Sequence, residues 1–167
     1  MKKLLLPILA TLPFTALASE AQAQRIHLSP DVKIGIFNGA GVQIGVADAL
    51  GMDAVYFSYA HKYYDTDRYD ETIDSYRLGL QHMFGDRENY GLQAEIGLAN
   101  YRGEKRTNSE LLNRSANGLS ISAGYVYMLN PSFGLRTGFD YDVFGASNTF
   151  ISMGSHFSLN FGVVGRF

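Results

Sequence analysis

From residue 133 to residue 144 apolar and polar side chains take turns along the chain. Phe133, Leu135, Phe139, Tyr141 and Val143 share one face, and Gly134, Arg136, Gly138, Asp140 and Asp142 share the other. A period of two marks a β-strand with one apolar and one polar side. The same alternation sets Leu92, Ala94, Ile96 and Leu98 against Gln93, Glu95 and Gly97. It sets Leu119, Ile121, Ala123, Tyr125, Tyr127 and Leu129 against Ser120, Ser122 and Gly124. Tyr76, Leu78, Leu80 and Phe84 oppose Arg77, Gly79 and Gln81. Val42, Ile44 and Val46 oppose Gln43 and Gly45, and Val32, Ile34 and Ile36 oppose Lys33 and Gly35. Residues 54–64 are aromatic-rich and alternate less cleanly. The chain closes on the same pattern, with Phe157, Leu159, Phe161, Val163 and Phe167 facing one way and Ser158, Asn160, Gly162 and Arg166 the other. Gly165 is the gap in the first set and Val164 the exception in the second.

The amino terminus is of a different kind. Met1-Lys2-Lys3 is basic, residues 4–17 form an apolar run interrupted by Pro7 and Pro13, and two small-x-small sites follow, Ala16-Leu17-Ala18 and Ala21-Gln22-Ala23. This is the layout of a secretory signal peptide and not of a spanning helix. Residues 1–23 are expected to be removed, with cleavage after Ala18 or Ala23, leaving residues 24–167 as one domain. The absence of cysteine excludes a lipidated cysteine anchor and a disulfide framework. No later stretch approaches the roughly 18 consecutive apolar residues of a membrane helix.

An exported chain without a membrane helix is periplasmic, secreted or an outer-membrane barrel. Eleven Tyr, eleven Phe and eighteen Gly in 167 residues favour the barrel, because aromatics form interface girdles and glycine fits a narrow interior. Trp is absent, so Tyr and Phe would form the girdles alone. The formal net charge of −2 gives no reason to expect nucleic acid as a partner. A soluble eight-stranded barrel, apolar faces inward, is the competing fold. The charges decide between them: Lys33, Arg77, Glu95, Arg136, Asp140 and Arg166 share faces with most strand glycines, which suits a crowded lumen and not a water-facing exterior.

Sidedness sets the strand number. Both termini belong in the periplasm, where turns are short, and the outer loops are longer. Counting back from Phe167 gives a closing strand from about Asn148, an outer turn at 145–148 and a periplasmic turn at 130–132. A long outer loop at 102–117, a periplasmic turn at 85–89, an outer tip at 65–71 and a periplasmic turn at 48–53 follow. Residues 32–46 must then hold two strands, with Asn38-Gly39 as a tight outer hairpin. The count is eight, an all-β, antiparallel, up-and-down transmembrane β-barrel.

In signal peptide, alternation, parity and terminal Phe, the chain resembles the small eight-stranded outer-membrane proteins related to OmpX and the OmpA membrane domain. The resemblance covers essentially the whole mature length. It implies a place in the cell outer membrane among lipid and lipopolysaccharide. It also implies recognition of the terminal strand, with Phe157, Leu159, Phe161, Val163 and Phe167, by the barrel-assembly machinery, although the last three residues read Gly165-Arg166-Phe167 where aromatic-Arg-Phe is frequent. No peptidoglycan-binding domain is expected after the barrel. Members include envelope-stabilising proteins, adhesins, serum-resistance factors and a few lipid-modifying enzymes, so fold alone does not select the function.

Lysine, arginine and carboxylates enclosed in the lumen need each other, which predicts a polar network of Lys33, Arg77, Glu95, Arg136, Asp140 and Arg166 filling it; a narrow channel is the alternative. Outside, Asp65, Asp67 and Asp70 head an acidic stretch running to Asp74. Clustered carboxylates suit a divalent cation, yet the turn glycine and the EF-hand spacing are missing, so a solvated tip is the expectation and no metal or cofactor is assigned. Arg102, Lys105, Arg106 and Arg114 make the next loop basic, suited to lipopolysaccharide phosphates or a surface partner. His156-Phe157-Ser158 resembles the His-x-Ser element of lipid A deacylases, with Asp140 or Asp142 as orienting acid, but its parity points inward and no Glu follows. His27, His61 and His82 lack metal-ligand spacing with one another and read as isolated interfacial or loop residues. The expectation is a non-enzymatic envelope or surface-interaction barrel, with a lipid A-modifying hydrolase as an alternative.

Overall fold

An amphipathic antiparallel sheet left open exposes two rows of unpaired amide and carbonyl groups, and closing it removes both. The computed structural model describes residues 25–85, 89–107 and 110–167; the expected signal peptide lies outside them. Eight strands follow one another: β1 (Ile26–Gly35), β2 (Asn38–Ala49), β3 (Met52–Asp65), β4 (Tyr69–Phe84), β5 (Tyr90–Arg106), β6 (Leu111–Asn130), β7 (Phe133–Val143) and β8 (Ser155–Arg166). Each pairs antiparallel with its neighbour, and β1 pairs with β8 to close the barrel. At the seam the Ile26 amide donates to the Phe167 carbonyl at 2.7 Å, and the Phe167 amide returns the bond at 3.0 Å.

The apolar faces point outward and the polar faces inward. On β5 the outward residues Tyr90, Leu92, Ala94, Ile96 and Leu98 cover 90–98, matching the roughly 9–11 residues of a bilayer-crossing strand. The inner face of residues 54–64 explains its uneven pattern. Tyr56, Ser58 and Lys62 are buried in the lumen while Tyr59 and His61 look outward, so aromatic and polar side chains occur on both faces.

Four segment assignments change. Asn38-Gly39 is not the outer hairpin: β1 ends at Gly35, the turn is Ile36-Phe37, and Asn38 already opens β2 opposite Tyr63. Neither Asn38 nor Gly39 has the positive φ that a type I′ turn demands. Gly39 serves close packing instead, since a Cβ there would collide with the His61 carbonyl. Residues 102–117 are not one long loop, because β5 and β6 stay paired from Arg106↔Leu111 downward. The tip expected at 65–71 is confined to 66–68, with Asp65↔Asp70 already in register. The closing strand starts at Ser155, not near Asn148. Residues 144–154 instead fold over the mouth, with short 3-10 turns at Ala146–Asn148 and Ser152–Gly154.

Candidate functional site

Period-two geometry on eight tilted strands directs every second side chain into a narrow lumen. Lys33, Arg77, Glu95, Arg136 and Asp140 all point there and are buried, and Arg166 lies inward at the periplasmic end. Glu95 is the hub of the lower half. Arg77 Nε donates to its Oε2 at 2.8 Å, Arg136 Nη2 to its Oε1 at 3.0 Å, and Ser58 Oγ to its Oε2 at 2.7 Å. Lys33 bridges Asp31 at 3.1 Å and Asp140 at 2.8 Å, while Arg136 also pairs with Asp31.

Lys62, Asp142, Asp31, Gln43 and Tyr56 belong to the same network; parity puts Asp142 and Gln43 on polar faces, but none of the five was expected in the network. Lys62 pairs with Asp142, which also accepts from Ser75 and Ser120. Extending β1 two residues back would have put Asp31 on the Lys33 face, and counting from Ser58 would have put Lys62 beside it. Four cations (Lys33, Lys62, Arg77, Arg136) thus meet four carboxylates (Asp31, Glu95, Asp140, Asp142). Charges that cannot reach water are compensated locally.

Apolar side chains cap this network at both ends. Toward the periplasm Met83, Val126, Met128 and Val164 form one cluster, which accounts for the apolar Val164 on the polar face of β8. Toward the outside Phe37, Ile73, Ala99, Tyr101 and Phe144 form another. Above the outer cluster lies a cavity of about 600 Å³ lined by Phe37, Tyr64, Tyr69, Phe150, Glu71 and His156. Tyr101 holds its floor, donating to Glu71 at 2.7 Å and accepting from the Phe150 amide at 3.1 Å.

His156 and Ser158 are buried in the lumen, where no lipid reaches them. The Phe37 amide donates to His156 Nε2 at 3.4 Å, and Nδ1 faces Asp142 at 3.5 Å. Nε2 is taken by the Phe37 amide, and Ser158 Oγ makes no hydrogen bond to either ring nitrogen, so this geometry does not prime the serine. His27 is corrected as well: it is not interfacial but buried, stacked on Tyr56 at 4.8 Å and bonded to Gln43 at 3.1 Å.

The acidic stretch does not converge. Asp65, Asp67 and Asp70 are exposed at the tip, Glu71 turns into the mouth, and Asp74 turns onto the outer wall. Among the described residues no group of three or more His, Cys, Asp or Glu is placed to hold a metal ion. The basic residues also separate. Arg114 donates to the Thr149 carbonyl and lies 4.5 Å over the Phe150 ring, pinning the mouth segment. Lys105 sits 5.2 Å over Tyr69. Arg106 is exposed at the end of β5, and Arg102 faces outward. Phe157, Leu159, Phe161, Val163 and Phe167 line the outer face of the closing strand.

A closed eight-stranded barrel with a lipid-facing apolar wall and a charge-filled lumen defines a small outer-membrane β-barrel protein. Solved barrels of that class superpose on it. The N-terminal β-barrel domain of Pseudomonas aeruginosa OprF matches with a TM-score of 0.57 and 16% identity, covering 86% of this chain and 97% of that one. The attachment invasion locus protein Ail of Yersinia pestis matches with a TM-score of 0.59 and 14% identity, covering 86% and 97%. In sequence the chain is similar to the oligogalacturonate-specific porin KdgM of Dickeya dadantii, 28% identical over 109 residues. That alignment spans 64% of this chain but only 44% of the porin. No protein-family model matches the chain.

Proposed function

We propose that this protein is a non-conducting, non-enzymatic barrel that strengthens the envelope and presents charged strand ends at the cell surface. The observation that carries the reading is the lumen: four buried cations pair with four buried carboxylates and fill it between two apolar clusters, as in a barrel just wide enough for its own side chains. The relative matched over 44% of its length is named as an oligogalacturonate-specific porin, so transport is the reading to test. Purified protein in planar bilayers is expected to give no stable unit openings, and vesicles carrying it are expected not to swell in oligogalacturonate. Stable openings abolished by Glu95→Ala would overturn the plug.

Outside the apolar band, exposed Arg102, Arg106 and Arg68 mix with Asp65, Asp67 and Asp70 at the level of outer-leaflet headgroups. Arginine pairs well with phosphate, and lipopolysaccharide is the proposed contact of this rim. Replacing Arg102 and Arg106 with Gln is expected to preserve folding, since neither holds the mouth segment, and to weaken lipopolysaccharide binding severalfold. Unchanged binding counts against the contact. The terminal strand, through Phe167, is the proposed handle for the barrel-assembly machinery.

A further inference from the structure

Strand register lines up one row of outward side chains from β1 to β6: Val32, Ala40, His61, Asp74, Asn100 and Asn117. The row directly below it carries Tyr59, Tyr76, Leu98 and Leu119, so these residues stand at the outer edge of the apolar band. They are bonded to one another. Asp74 Oδ1 accepts from Tyr59 Oη at 2.8 Å and from His61 Nδ1 at 2.9 Å, and its Oδ2 lies 3.6 Å from Arg102 Nη2. Arg102 Nε donates to Asn100 Oδ1 at 3.1 Å, and Asn100 Nδ2 donates to Asn117 Oδ1 at 2.8 Å. No element of the barrel's own closure needs such a cluster on a lipid-facing wall, where polar groups cost free energy unless paired.

The cluster is asymmetric in what it shows the membrane. Its carboxylate is shielded, the Asp74 side chain being 12% exposed, while the Arg102 side chain is 71% and the His61 side chain 48% exposed. Asp74 holds His61 by Nδ1, which leaves Nε2 directed away from the carboxylate. Arg102 therefore presents donors and positive charge, the imidazolium form of His61 in its pair with Asp74 adds the Nε2 donor, and the negative charge is concealed, a surface complementary to phosphate. Beside His61 the wall dips: Ala40 and Gly39 floor a groove of about 500 Å³ between Val32 and Ile34 on one side and His61 and Tyr63 on the other. The groove lies level with His61 and above it, toward the outer strand ends, at the height of the headgroups.

We infer that this wall is a binding site for a phosphate-bearing lipid of the outer leaflet, its phosphate on Arg102 and His61 and the rest of its headgroup against the groove over Ala40. The site rests on the outer-leaflet contact proposed above and moves it from the strand ends to a defined place on the wall. Tyr59 and Asp74 act as positioning residues, holding His61 and Arg102.

The test is native mass spectrometry of the folded mature protein released from micelles containing either diphosphoryl lipid A or its dephosphorylated counterpart. Wild type is expected to retain the diphosphoryl form at least fivefold over the other. Arg102→Gln and His61→Ala should each bring that preference close to one. Ala40→Phe, which fills the groove, should lower retention of both forms. Arg25→Gln, an exposed arginine at the periplasmic end, serves as the control and should leave the preference intact, with heat-modifiable gel mobility confirming folding throughout, while Arg106→Gln, further up β5, reports on the rim contact. Equal retention of the two forms by wild type, or a preference surviving both headgroup variants, overturns the site. A preference lost only in Arg106→Gln overturns the site but keeps the outer-leaflet contact. No retention of either form overturns both.

Discussion

Glu95 accepts from Arg77, Arg136, Ser58, Gln43 and Tyr56 and is itself buried. Glu95→Ala would leave two buried guanidinium groups under-compensated. Removing one member of such a network costs about 3–5 kcal/mol, and urea unfolding of the protein in lipid vesicles should show a loss of that order. Arg77→Met combined with Glu95→Met should cost less than the two single losses added together, because the remaining buried cations and carboxylates are again equal in number and Arg136 keeps Asp31. Gly79 is the other sensitive position, since a Cβ there would run into the Tyr56 ring; Gly79→Ala is expected to cost about 1–3 kcal/mol by overpacking. At this scale the sequence was informative about which side chains face inward and silent about which ones meet. Face follows from parity along one strand. The pairing of Lys33 with Asp140, or Arg136 with Asp31, depends on the stagger between strands distant in sequence.

The elements were legible where both faces keep their character and obscure where they do not. β5 and β7 alternate strictly through the membrane and were read correctly; the outer end of β5 was not, because above the band polar residues occupy both faces and mimic a loop. Asn38-Gly39 misled for a related reason: glycine in a strand can serve a close backbone approach as well as a turn. Two predictions belong here. Arg114 holds residues 149 and 150 over the mouth, so Arg114→Ala should speed hydrogen exchange at the Phe150 amide while exchange at Leu98, mid-sheet, stays unchanged. The Phe167 backbone makes the seam bonds to Ile26 while its side chain lies outside, 71% exposed. Phe167→Ala should therefore refold in vesicles within about 0.5 kcal/mol of wild type, yet accumulate less in the outer membrane of cells, measured by quantitative blotting of membrane fractions.

For the whole molecule, four cations matched to four carboxylates inside two apolar caps make stability indifferent to the solution outside. Buried pairs are screened far less than exposed ones, so the urea midpoint in vesicles should move little between low and high salt, whereas the lipopolysaccharide contact of the rim should weaken. The wall offers a last consequence. Its apolar height is uneven: on β7 outward residues are apolar or small from Phe133 to Val143, while on β3 they are apolar only from Val55 to Tyr59 before His61 begins. A bilayer of one thickness cannot match both flanks of a rigid cylinder. Either the barrel leans, raising its β3 side toward the outer leaflet, or the leaflet thins there and draws headgroups down the wall. Both responses bring phosphates toward His61 and Arg102, so the mismatch itself would deliver lipid to the flank equipped to hold it.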